Sequence, residues 1–305
     1  MNKVAVIIPA YNEEQTIEKV ITDFRKVLPA AGIYVCDNGS TDNTYNVSVQ
    51  AGAITCKEPR KGKGNAVRRL FNSVDAEYYL MVDADDTYDP GTAKEMIKEI
   101  INNKHDMVVA NRVHIKKEAY RAGHVYGNKA ITKTINTLFE SNYIDILSGY
   151  RVMTRQFVRS FPILSKGFDI ETEITVHAAE LNVSITEIES PYRERPEGSI
   201  SKLSTYSDGF KILKRIIMLS HDIKPLLVYL YLSFICFIIS LTLGTPVILE
   251  FINTGLVLKI PTAILCSGLM TLSIILITAG IILNGIVRLH RENKYLHYLG
   301  ASRGN

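Results

Sequence analysis

Asp83-Ala84-Asp85 follows the apolar run Tyr79-Leu80-Met81-Val82, so two carboxylates with one small residue between them leave the end of a predicted strand together. Paired carboxylates are hard oxygen donors, and at this spacing they suit a magnesium or manganese ion that bridges phosphate oxygens. An acidic turn gives the same local pattern, because Pro90-Gly91 closes the segment. Two further polar clusters separate the readings. Pro9-Ala10-Tyr11-Asn12-Glu13 follows one apolar run and Cys36-Asp37-Asn38-Gly39-Ser40-Thr41-Asp42 follows another, which supplies an aromatic ring and carboxylates for a base and a ribose. Arg60-Lys61-Gly62-Lys63-Gly64 adds three cations and two glycines ahead of a predicted helix, a combination suited to a diphosphate. Neither a Walker loop nor a Gly-x-Gly-x-x-Gly turn is present, which argues against an ATPase and a dehydrogenase.

These clusters need a scaffold that gathers strand ends. Short β-rich runs at Val4–Ile8, Ile33–Cys36, Ala53–Cys56 and Tyr78–Val82 alternate with helical patterns at Glu14–Leu28, Thr41–Gln50 and Lys63–Asn72. Such alternation predicts an α/β domain with a mostly parallel sheet covered on both faces, whose ligands collect at the carboxyl ends of the strands.

At this point the chain resembles the family 2 glycosyltransferases, and within them the dolichol-phosphate mannose synthase and bactoprenol glycosyltransferase group. The likeness runs from Val4 to about Lys202 and rests on the three polar strand ends in their order. It implies a GT-A type nucleotide-sugar-binding domain. Pro9, Tyr11, Glu13, Asp37, Lys63, Asp83 and Ala84 then fall in the nucleotide pocket, and Asp83 and Asp85 become the metal carboxylates for Mg2+ or Mn2+. Thr87 stands where mannose synthases often carry Gln. Arg112 matches an arginine at a strand end, and Ser148-Gly149-Tyr150-Arg151 matches a Ser-Gly-Phe-Arg stretch, which implies that Arg112, Ser148 and Arg151 engage an acceptor phosphate. Asp83, Asp85, Arg112 and Arg151 are the expected catalytic set. Arg195 and Lys202 lie in the segment that resembles the family's mobile phosphate-binding loop, with one residue more between Gly198 and Ser201 than in mannose synthases. Glu171 and Glu173 stand near a predicted helix start, where capping is the first reading, and His177 reads as structural.

The last quarter of the chain has a different solvent in view. Pro225–Leu249 and Ala263–Val287 hold no charged residue, and each exceeds the ~20 residues that cross a hydrocarbon core. Lys211, Lys214, Arg215 and Lys224 precede the first run, and Arg288, Arg291 and Lys294 follow the second, so both flanks are expected in the cytoplasm. Between Ser201 and Asp222, Leu203, Tyr206, Phe210, Leu213 and Ile217 recur at helical spacing, which reads as an amphipathic interfacial helix. The expected organisation is a catalytic domain over 1–200, a juxtamembrane helix over 201–224, a transmembrane hairpin over 225–290 and a cytoplasmic tail over 291–305. Met1 begins a strand-like run with no apolar leader, so an integral protein of a prokaryotic plasma membrane with both termini cytoplasmic is expected. Four singly scattered cysteines read as reduced filler, and a net charge of +4 gives no reason to expect nucleic acid.

A polyprenyl phosphate, undecaprenyl or dolichyl, carries ~1.5 to 2 negative charges near neutral pH and needs no strong base to become a nucleophile. Its direct attack on a nucleotide-sugar donor would invert the anomeric carbon, as the family resemblance also implies. A diacylglycerol acceptor and a non-catalytic membrane adaptor are the alternatives. A polysaccharide synthase is disfavoured, since its Gln-x-x-Arg-Trp motif needs tryptophan and the chain has none. The bilayer is the expected partner surface, and self-association of the hairpins a further expectation.

Overall fold

The structure is a computed structural model that describes residues 2–114, 122–162, 170–193, 218 and 221–303. Arg195, Lys202 and nearly all of the expected amphipathic helix lie outside the described residues.

The chain forms two compact units, the first over 1–209 with 294–305 and the second over 210–293. The first contains β1 (Asn2–Ala10), α1 (Ile17–Val27), β2 (Gly32–Asp37), α2 (Thr44–Gln50), β3 (Ile54–Lys57), α3 (Lys63–Ser73), β4 (Ala76–Met81) and α4 (Thr92–Asn102). It continues with β5 (Met107–His114), α5 (Ala122–Phe139), β6 (Arg151–Thr154), α6 (Arg155–Ser160), α7 (Ile170–Leu181) and β7 (Ile185–Tyr192). The strands make one seven-stranded sheet in the order β3-β2-β1-β4-β6-β5-β7, parallel except for β6, which runs against both β4 and β5. The expected mostly parallel sheet is present.

Strand residues alternate between faces, and here both faces are covered, so the strands read as continuous apolar runs. Ala5, Ile7, Tyr79, Met81, Val109 and Met153 pack with residues of α3, α6 and α7 in one layer. Val6, Ile8, Leu80, Val82, Val108 and Val152 pack with residues of α1 and α4 in the other. The three expected polar strand ends therefore emerge side by side, at Ala10, Asp37 and Val82.

The second unit holds α8 (Pro225–Thr254) and most of α9 (Ile260–Arg303). Both helices are long and apolar enough to cross a membrane, and only 11% and 17% of their most apolar windows are buried, unlike soluble core helices. They run antiparallel. Ser233 Oγ donates to the Ser273 carbonyl at 2.9 Å, Ser240 Oγ donates to the Cys266 carbonyl at 2.8 Å, and a Cβ at Gly280 would meet Tyr229 Cβ at 2.8 Å. Small residues and hydroxyls that let backbones approach are what holds helices together in lipid.

The tail is helical: α9 continues to Arg303, and its turns from Lys294 onward pack within the first unit. Lys294 pairs with Glu180 at 2.5 Å, the Tyr298 hydroxyl donates to Asp106 Oδ1 at 2.5 Å, and Gln156 Nε2 donates to the Tyr298 carbonyl at 3.1 Å.

His177 on α7 sits among Phe157 and Phe161, with ring centroids at 5.5 and 5.1 Å, and its Nδ1 has no partner among the described residues. Burial, with the Lys294 charge adding to it, lowers its pKa to about 3. The unfolded chain takes up this proton near pH 6.5 and the native one does not, so stability falls as pH drops from 6.5 toward 3. His177→Phe is expected to remove about 2 kcal/mol of that loss at pH 5. Thermal unfolding midpoints of both proteins at pH 7.5 and pH 5 check this, with the wild type showing the larger drop.

Candidate active site

Three loops at the carboxyl ends of β1, β2 and β4 are laced to one another. Asn12, held at φ 53°, accepts from the Thr41 amide at 2.8 Å and donates its own amide to Ser40 Oγ at 2.9 Å. The Glu13 amide donates to Thr44 Oγ1 at 2.9 Å, and the Asn38 amide donates to the Ala10 carbonyl at 2.8 Å. The buried Thr16 hydroxyl, at the start of α1, donates to the Ala84 carbonyl at 2.7 Å and fastens the Asp83-Ala84-Asp85 turn to the first loop. Pro9 and Asp37 are buried, Tyr11 and Glu13 half-buried. Asp37 Oδ1 accepts from the Ser40 amide at 3.2 Å. These four residues and Ala84 lie at the neighbouring strand ends and loops where the sequence expects a nucleotide pocket.

At the centre, Lys63 Nζ lies between Asp83 and Glu171 and forms an ion pair with each. Burial alone would depress the Lys63 pKa; the two carboxylates outweigh it and hold the ammonium above its ordinary value. Lys63 was expected in the nucleotide pocket, on a loop assigned to the diphosphate. Its side chain is instead only 10% exposed and engaged with both carboxylates. The rest of the basic loop divides in the same way. Arg60 grips the buried Glu58 at 2.7 and 2.9 Å, and Lys61 lies 5.7 Å from the centroid of the Tyr11 ring.

Asp83 also abuts Gly149. A Cβ there would meet Asp83 Oδ2 at 2.5 Å, so only a glycine lets the carboxylate lie where it does. Tyr88 Oη accepts from the Gly149 amide at 2.9 Å. Asp85 is buried, and its Oδ1 accepts from the Thr87 hydroxyl at 2.6 Å. Thr87 thus fixes the second carboxylate.

Arg112, near the end of β5, makes a fork to Asp145 at 2.6 and 2.8 Å and lies 5.5 Å from the centroid of the Tyr192 ring. Burial opposes its charge and the Asp145 carboxylate restores it, with the pKa raised overall. Its side chain stays 22% exposed.

Two expected phosphate ligands are not at hand. Arg151 is fully buried, with Nε donating to the Ser148 carbonyl at 2.8 Å, Nη1 to Thr175 Oγ1 at 2.9 Å and Nη2 to the Ile146 carbonyl. Burial pulls its pKa down, opposed by Glu171 and Asp145. Ser148 is fully buried as well, and its hydroxyl donates to the Ala110 carbonyl at 2.6 Å. The Ser148-Gly149-Tyr150-Arg151 stretch is the fastening of β6 beneath the site, with its arginine turned inward. Glu171, whose role the sequence left open, enters the site through Lys63, while Glu173, two residues further along α7, is half-buried.

The model of the family described as Glycosyl transferase family 2 matches residues 5–161. Glycosyltransferase AglJ of Haloferax volcanii is 30% identical over 291 residues, 95% of each chain. The dolichyl-phosphate hexose transferase of the same organism is 27% identical over 213 residues, covering 70% of this chain and 92% of that one. Among solved structures, glucosyl-3-phosphoglycerate synthase from Mycobacterium tuberculosis in complex with Mn2+ and uridine-diphosphate-glucose matches with a TM-score of 0.56 at 18% identity. That match covers 72% of this chain and 78% of the other and is a likeness of fold.

Lys63→Met leaves the buried Glu171 without its Lys63 partner. It is expected to lower the unfolding free energy by about 3 kcal/mol. Lys63→Met with Glu171→Gln should recover more than half of that loss, measured by denaturant titration of both variants.

Proposed function

The chain belongs to glycosyl transferase family 2, and on that premise we propose that it moves a sugar from a UDP- or GDP-sugar to a polyprenyl phosphate, with inversion, at the cytoplasmic face of a membrane. The observation that carries the choice of acceptor is the state of the carboxylates around Asp83. Glu171 is tied to Lys63 and Asp145 to Arg112. An alcohol acceptor calls for a carboxylate poised to take its proton. A phosphate monoester arrives ionised and needs no such base, only charge screening and alignment.

Asp83 and Asp85 would hold the divalent cation. Among the described residues no group of three or more His, Cys, Asp or Glu side chains is arranged for a metal. Two carboxylates and the oxygens of a diphosphate are nevertheless an ordinary donor set for magnesium or manganese. The glucosyl-3-phosphoglycerate synthase structure, with Mn2+ and UDP-glucose on the same fold, supports this assignment. When bound, such an ion supplies charge stabilisation to the departing nucleoside diphosphate.

The chain's own residues do the rest. Gly149, Lys63 and Thr87 hold the two carboxylates in place; Tyr11, Glu13, Asp37 and the Pro9 turn contact the nucleoside; Arg112, kept rigid by Asp145, orients the acceptor phosphate. Arg195 and Lys202 contribute to phosphate binding in this reading. The dolichyl-phosphate hexose transferase named above and a UDP-N-acetylglucosamine–dolichyl-phosphate N-acetylglucosaminyltransferase of Methanococcus voltae, 27% identical over 249 residues, support a polyprenyl phosphate acceptor. The exposed apolar surface of α8 and α9 supports a bilayer location for such an acceptor.

Radiolabelled UDP- and GDP-sugars offered with undecaprenyl phosphate or diacylglycerol in detergent test the proposal. Label should enter the organic phase with the polyprenyl phosphate alone. Asp83→Ala, Asp85→Ala and added chelator should each lower transfer by about a hundredfold or more. Undiminished transfer in chelator removes the metal assignment, and label on diacylglycerol alone removes the acceptor. Gly149→Ala should lower transfer by about a hundredfold through displacement of Asp83, with a smaller fall in stability than Lys63→Met causes.

A further inference from the structure

Cys36 and Cys56 lie 20 positions apart in the chain, and spacing alone suggests no relation between them. In the sheet they are register partners on the parallel strands β2 and β3. Neighbouring strands run about 4.8 Å apart, and directly paired residues project to the same face. That separation falls within the ~4.4 to 6.8 Å that a disulfide spans between Cα atoms. Both cysteines are free thiols.

Their surroundings differ. Cys36 is fully buried, whereas Cys56 is half-exposed. The two thiols lie close enough to shift each other's ionisation, and the Arg69 side chain on α3 acts on Cys56 as well. The neighbouring Cys36 lowers the Cys56 pKa to about 7, burial opposes it, and the Arg69 charge assists. Through Cys56 in turn, and as a buried group, Cys36 is pushed far above the ordinary thiol range. An accessible thiolate beside a cation, with a protonated thiol next to it, is the arrangement of a peroxide-reactive cysteine and its resolving partner.

We propose that Cys56 and Cys36 form a redox pair in which Cys56 is the peroxide-sensitive nucleophile and Cys36 the resolving thiol. The Cys56 thiolate attacks a hydroperoxide; the S–O bond forms as the O–O bond breaks, and the leaving alkoxide or hydroxide takes a proton to become alcohol or water. The Cys36 sulfur then attacks the Cys56 sulfenic acid, and the hydroxide it displaces leaves with the Cys36 proton as water. Each sulfur is oxidised by one electron overall, and the peroxide is reduced by two. The bond forms one residue before Asp37, whose register partner is Lys57 and whose carbonyl accepts from the Glu58 amide at 2.8 Å. This pairing stands on the thiols alone and not on the donor or acceptor assigned above.

The test treats the reduced full-length protein in detergent with graded hydrogen peroxide, blocks the remaining thiols and maps peptides by mass spectrometry. Cys56 should lose its thiol at least about tenfold faster than Cys236. A Cys36–Cys56 linked peptide should appear, lighter by two hydrogens and reversed by dithiothreitol. Cys36→Ser should halt the sequence at a Cys56 sulfenic acid that dimedone traps, and Cys56→Ser should leave Cys36 unreactive. The wild-type measurement decides the matter even if a variant misfolds. Cys56 oxidising no faster than Cys236, or oxidised protein without the linked peptide, overturns the proposal.

Discussion

The Lys63 ammonium between the Asp83 and Glu171 carboxylates is the constraint around which the first unit is organised. A charge this enclosed is tolerable only when it is paired and its partners are themselves fixed. Lys63 opens α3, Asp83 leaves β4 and Glu171 opens α7, so three elements distant in sequence must all arrive before any of the charges is satisfied. Gly149 supplies the fourth boundary through what it lacks, since any side chain would occupy the place of the carboxylate. The acidic turn is thereby set in orientation before any ligand is bound, and electrostatic preorganisation of this kind does not have to be built at the moment of reaction.

Beneath this layer Arg151 performs a structural task that its chemistry disguises. Its guanidinium ties the carbonyls of Ile146 and Ser148 to Thr175 on α7. That binds the one antiparallel strand, β6, to the helix that carries Glu171. A fork of donors suited to phosphate is equally suited to converging backbone carbonyls, and the difference is only which of them the fold brings near. Arg112, three residues beyond Val109, keeps an exposed edge because it lies at the end of its strand, whereas Arg151 points into the core beside Met107.

Local patterns made much of this legible. Apolar runs broken by Pro9, Asp37 and Asp83 located β1, β2 and β4 and their ligand-bearing ends, and two uncharged runs located α8 and α9. What stayed hidden depends on long-range register. Periodicity cannot say that Arg151 faces inward, because a single polar residue at the start of a four-residue strand has no pattern around it. Glu171 looked like a helix cap because its true partner is 108 residues away. The cysteines looked solitary because only the pairing of β2 with β3 sets them side by side. The antiparallel insertion of β6 was equally invisible, its four residues being too few to betray direction.

The docking of the last turns of α9 against Asp106, Gln156 and Glu180 has a consequence for biogenesis. Ribosomes deliver residues 294–303 after every strand of the sheet and after both apolar helices. Domains fold as they emerge, N-terminal parts first. The sheet and α7 must therefore assemble with this patch still wet, and the apolar pair must find its own surroundings before the patch is covered. Maturation is ordered by the direction of translation, and this contact joins the middle of the chain to turns synthesised after the apolar pair.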